Sequence, residues 1–194
     1  MAVENPEWAS EEFVRRLQKG DKKAFEELLH RFGPRLLNFG MKMCREREDA
    51  LDVFQDTLEK AYTSLSQLKE PAALKTWLFR VAANACLMKR RKPASAPEEV
   101  SLDEVEPGKE APAAEGSLES LPERFVENSE LRDKLREAIL SVPESHRAVL
   151  ILRDVEGFST EETADITGLS GDVVKMRLMR ARMKVRSALA GALR

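Results

Sequence analysis

Histidine and cysteine are too sparse here to build a conventional metal or redox site. His30, His146, Cys44 and Cys86 are the full complement, with no Cys–X–X–Cys spacing. That excludes a structural zinc site and a disulfide framework, and leaves both cysteines as small hydrophobes among apolar helical neighbours. Aromatic residues make up only 6% of the chain, and apolar/polar alternation never persists, which argues against a large β-sandwich. No apolar run approaches membrane-spanning length. The opening MAVENPEWASEEF lacks the basic start and hydrophobic stretch of a secretory signal, so the expected compartment is the cytoplasm. A glycine-rich phosphate loop is missing, as is a nucleophile with a nearby base. The expectation is a non-enzyme with no cofactor, no metal and no small-molecule substrate.

What the chain has in quantity is charge, 34% of 194 residues, and the net value of −2 conceals how it is distributed. Between Pro93 and Asn128, ten acids face only Lys109 and Arg124, a local net of −8 that leaves +6 elsewhere. Two stretches hold the positive charge. Lys75 to Lys92 carries six bases and no acid, and Ser170 to Arg194 carries seven bases against Asp172.

The pattern before Pro93 is helical. Ser10 suits a helix cap ahead of Glu11 and Glu12, Gly20 ends that helix, and Asp21 caps the next. Phe25, Leu28, Leu29, Phe32, Leu36 and Leu37 trace its apolar side, with Gly33-Pro34 as an expected kink. A third helix near 46–65 and a fourth from Pro71 complete a four-helix bundle over residues 1–92. Residues 93–128, broken by Pro97, Pro107, Pro112 and Pro122, are too polar to build a core and read as a flexible acidic linker. A second helical set spans 129–194. The expected fold is all-α, with two small domains free to move on their tether.

Residues 159–190 contain an acidic helix, STEETADI, a TGL turn and a basic helix. This is the order of a helix-turn-helix whose second helix lies against DNA. Val174, Leu178, Ala181 and Val185 form its packing stripe. Lys175, Met176, Met179 and Arg180 fall opposite, and Arg177, Arg182, Lys184 and Arg186 widen a surface suited to phosphates. Solvated helix charge is the plainer alternative.

Four blocks in order make the chain resemble the extracytoplasmic-function sigma factors. They are DKKAFEELLHRFGPRLLNF (21–39), REDALDVFQDTLEKAY (47–62), KTWLFRVAANACLMKRRK (75–92) and the tail from VPESHRAVLILRDVEGFSTEETADITGL. The resemblance implies a non-catalytic subunit that binds core RNA polymerase, recognises minus-35 and minus-10 promoter elements and assists melting; the alternative is an autonomous helix-turn-helix regulator. It implies that Asp49, Asp52, Gln55 and Asp56 dock on the β′ coiled coil, with the β flap as a further polymerase contact. Lys75, Trp77, Arg80, Asn84, Lys89 and Arg90, with the loop 66–74, would hold the melted minus-10 strand. Trp77 suits packing equally well, and Asn84 suits a buried hydrogen bond. Lys175, Met176, Arg177, Met179, Arg180 and Arg182 would read the minus-35 duplex. Asp172, Val173 and Met176 depart from the Gly, Thr and Ser common there, so the preferred sequence is not legible. Members commonly have an anti-sigma factor, sometimes in the membrane, which makes one a candidate partner.

Overall fold

The computed structural model describes residues 10–68, 70–89 and 129–192, and every regular element among them is helical. Ser10 caps α1 (Glu11–Gln18), its hydroxyl accepting from the Phe13 amide at 3.2 Å. Asp21 caps α2 (Lys22–Met43) by accepting from the Lys23 and Ala24 amides. These are the two caps the sequence announces. α2 continues as helix through Pro34, although proline has no N–H to donate to the His30 carbonyl.

α3 (Arg47–Ser64) crosses α2 closely at Gly40. A Cβ at that position would stand 3.2 Å from the Ala50 carbonyl oxygen, so a side chain there would push the two helices apart. Short 3-10 turns at Leu65–Gln67 and Pro71–Ala73 lead into α4 (Leu74–Lys89). The Gln18 side chain holds this connection by donating to the Leu68 carbonyl at 2.8 Å. Leu28, Phe32, Leu36 and Phe39 of α2 meet Val53 and Ala61 of α3 and Leu74, Leu78, Phe79 and Ala82 of α4 in one buried cluster.

The second set runs α5 (Ser129–Leu140), α6 (Glu144–Leu150), a π-turn (Ile151–Val155), α7 (Thr160–Thr167) and α8 (Gly171–Ala192). Ser159 and Glu162 close a reciprocal capping box at the start of α7. Gly168 ends that helix with φ 71°, a left-handed conformation that costs glycine nothing and sets the turn into α8. Val174, Leu178, Ala181 and Val185 are buried, as their spacing predicts.

The two modules, expected on a flexible tether, pack against each other. Their buried residues form a single core. Phe39, Phe79 and Phe158, all fully buried, stack edge to face across the seam, with ring centroids 5.6 Å and 5.0 Å apart. Arg147, also buried, donates to the Met43 carbonyl at the end of α2 at 2.6 Å while bonding the Leu140 and Val142 carbonyls of its own half. Arg136 reaches the Arg45 carbonyl at 3.0 Å. Burying a phenylalanine contributes about 1.5–3 kcal/mol, so Phe158 alone gives the closed packing a substantial driving force. The proposed linker, 93–128, lies outside the described residues.

Candidate nucleic-acid interface

The π-turn determines how α8 is presented. Its wide winding buries Asp154, whose carboxylate accepts from Arg182 Nε at 2.9 Å and Nη2 at 2.6 Å. Asp154 is 3% exposed, and this pair ties the middle of α8 to the turn. Arg182, expected to contact DNA, is 36% exposed and gives two of its donors to Asp154.

The remaining expected minus-35 residues sort by side of α8. Met179 is 55% exposed and Lys175 is exposed beside it, with its ammonium 3.4 Å from Asp172. Asp172 thus engages its own helix neighbour at i+3. Met176, Arg177 and Arg180 are half-buried. Arg177 and Arg180 flank His146 of α6: burial first, then these two cations, hold its imidazole below the ordinary histidine value. Lys175, Met176, Met179 and Arg180 therefore share the part of α8 facing away from its core stripe, with Met183 extending the exposed surface, while Arg177 borders the stripe on the His146 side.

On α4 the expected minus-10 residues divide. Arg80 and Asn84 are exposed one turn apart, so Asn84 is not a buried polar group. Trp77 is half-buried and packs against the core. Lys75 is half-buried and points across the seam, with Nζ 4.1 Å from the centroid of the Phe158 ring. The Lys89 side chain and Arg90 lie outside the described residues. On α3, Asp52, Gln55 and Asp56 are exposed and Asp49 is half-buried. Asp52, Gln55, Asp56 and Glu59 line one wall of a shallow groove whose other wall includes Ala85 and the largely exposed Met88 of α4. An acidic wall against an apolar one suits a partner helix with both basic and apolar residues.

Residues 28–95 match sigma-70 region 2, and residues 132–185 match sigma-70 region 4. The chain is 31% identical over 188 residues to the RNA polymerase sigma-H factor of Pseudomonas aeruginosa, covering 95% of both chains. This protein is a member of the extracytoplasmic-function sigma factor family. The ECF RNA polymerase sigma-E factor of Escherichia coli K12 is 32% identical over 176 residues, covering 87% of this chain and 88% of that one. Two solved structures share the fold. CnrH in complex with the cytosolic domain of CnrY has a TM-score of 0.66 at 24% identity, covering 94% of this chain and 98% of that one. The sigma factor RpoE bound to the anti-sigma factor NepR from Bartonella quintana has a TM-score of 0.63 at 27% identity, covering 87% and 98%. As a sigma factor the chain is a transcription initiation factor that binds core RNA polymerase and promoter DNA.

Sequence reasoning missed several residues that shape this sigma factor's surfaces. Asp154 pairs with Arg182 of α8, and Phe158 packs edge to face on Phe79 of α4. Arg35 donates to Glu156 Oε2 from Nη2 at 2.8 Å and from Nε at 3.0 Å, across the same seam. These contacts join positions 28 to 121 residues apart, beyond the reach of any local pattern. The one available signal was a pair of acids, Asp154 and Glu156, next to a glycine at the end of the run VLILRDVEGF.

Proposed function

We propose that this sigma factor reads promoters through two surfaces, with α8 supplying the one for duplex DNA. The supporting observation is the sorting of α8 into a buried stripe and an opposite face bearing Lys175, Met179 and Arg180, braced by the Arg182–Asp154 pair. Arg180 pairs its planar fork with a guanine in the minus-35 major groove, Lys175 reaches a second acceptor, and Met176 and Met179 meet thymine methyls. Arg177 contributes a phosphate contact.

On α4, Arg80, Asn84, Lys75 and Trp77 receive the displaced minus-10 strand, extended by Lys89 and Arg90. Asp49, Asp52, Gln55 and Asp56 dock on the β′ coiled coil through the groove between α3 and α4, and the 129–194 half engages the β flap. Residues 93–128 join the 1–92 and 129–194 units, their −8 charge suiting a route otherwise taken by nucleic acid. The complex of a structural neighbour, the sigma factor RpoE with the anti-sigma factor NepR, supports an anti-sigma factor as a further partner. The protein works in the cytoplasm, where its polymerase is; no described helix is long and apolar enough to cross a membrane.

Lys175→Ala with Arg180→Ala tests the reading helix. The double variant should bind core polymerase as the parent does and lose minus-35 protection and transcription on a selected promoter. An unchanged footprint would refute the assignment of α8.

A further inference from the structure

Sulfur is unevenly placed in this chain. Cys44 and Cys86 are both buried, and the hydrogen bond between them, then burial, raise the Cys86 pKa and keep its thiol protonated. A thiol with neither access nor charge reacts poorly with oxidants. Met43 is buried as well, and Met41 packs against the core. On α8 the arrangement is the reverse. Asp172, Met176, Met179 and Met183 repeat the four-three-four spacing of the core stripe, each two residues before Val174, Leu178, Ala181 or Val185. Two residues turn a helix by about 200°, so these methionines form a ridge on the side opposite the stripe. Met179 and Met183 are 55% and 47% exposed, one turn apart, with Met176 half-buried beside them. Among the described residues the one other largely exposed methionine is Met88 of α4.

We infer that Met179 and Met183 form a reversible oxidation site, at which conversion to the sulfoxide by a hypohalous acid lowers promoter affinity and leaves the fold intact. This regulation rests on the assignment of α8 as the helix that reads duplex DNA. The sulfur lone pair attacks chlorine of hypochlorous acid and displaces hydroxide; water then adds to sulfur and chloride leaves. The net products are sulfoxide, chloride and one proton. A methionine sulfoxide reductase reverses the change, two thiols becoming one disulfide as the oxygen leaves as water. On the ridge the new oxygen is a strong acceptor where an apolar thioether stood. It is a poor match for a thymine methyl, and it repels the O4, O6 and N7 acceptors that line the major groove. Closing the interface over it also strips its water without a compensating donor. The fold is spared because the buried stripe of α8 contains no methionine.

Chain treated briefly with hypochlorous acid, quenched, and assembled with untreated core polymerase tests the site. Peptide mass mapping should place one added oxygen on Met179 and one on Met183 well before any on Met43. The isolated oxidised holoenzyme should bind its promoter roughly fivefold to tenfold more weakly, the scale of one lost base contact, and a methionine sulfoxide reductase with dithiothreitol should restore the affinity. The oxidised chain should melt within about 2 °C of the untreated one. Met179→Leu with Met183→Leu, whatever its own starting affinity, should keep that affinity through the same treatment. Sulfoxide at both positions with unchanged promoter affinity overturns the inference, as does an equal loss in the double variant or a large fall in melting temperature. An unchanged minus-35 footprint for untreated Lys175→Ala with Arg180→Ala overturns the assignment of α8 itself, independently of any oxidation.

Discussion

Replacing Arg182 with alanine separates a structural arginine from a DNA-reading one. Asp154 is 3% exposed and Arg182 36% exposed, so the substitution strands a carboxylate with no solvent to replace its two donors. Breaking a buried pair from one side costs about 3–5 kcal/mol; the partial exposure of Arg182 sets the expectation at the low end, about 3 kcal/mol. In a protein of 150–250 residues each kcal/mol moves the melting temperature by about 2–4 °C, which gives a fall of about 6–12 °C. Removing both charges at once, as Asp154→Leu with Arg182→Leu, should recover most of that loss, since no uncompensated ion remains. Thermal unfolding of the single and double variants, with Arg180→Ala as the control expected to melt within about 2 °C of the parent, reads the difference. Arg182→Ala that melts normally and loses promoter binding would refute the structural role and return this residue to the DNA surface.

Charge reversal at Asp52 and Asp56 should weaken pulldown of core polymerase without lowering the melting temperature, both residues being exposed; undiminished capture would remove the docking assignment. Phe158→Ala should cost the closed arrangement about 3–5 kcal/mol and enlarge the radius of gyration in solution scattering. A compact variant would show that the aromatic stack does not hold the halves together. His146 titrates below its ordinary 6.5 in the folded chain, so between the two values the unfolded chain alone carries the proton. Its contribution to stability is complete above pH 6.5 and is lost as pH falls toward the folded value. Urea denaturation at pH 7.5 and 5.5 should show a smaller acid loss for His146→Gln than for the parent, and equal losses would exclude the imidazole as a cause.

Local rules carried the sequence reading far. Ser10 and Asp21 cap the helices their types announce, and the four-three-four spacing of Val174, Leu178, Ala181 and Val185 gives the buried stripe of α8. Such features depend on neighbours within one or two turns, so a linear pattern contains them. The pairing of Arg182 was not legible because its position on the helix suits solvent as well as an adjacent turn, and only the π-turn brings Asp154 beneath it. A π-turn leaves no hydrophobic period of its own to detect. The closed seam was hidden for a related reason. Phe158 lies in a short loop between helices, and nothing in EGFS reveals that a ring on another helix waits for it. Arg35 sits on a helix whose apolar side was legible, yet its partner lies 121 residues away.

As a sigma factor, this chain gives RNA polymerase its choice of start sites. Transcription by purified core polymerase on a fragmented genomic library, with and without the chain, measures that choice directly. A limited set of new start sites that share two spaced elements should appear with the chain and vanish when it is omitted. Transcripts that are the same in both reactions, or a chain that grips palindromic DNA as a dimer while ignoring the polymerase, would contradict it.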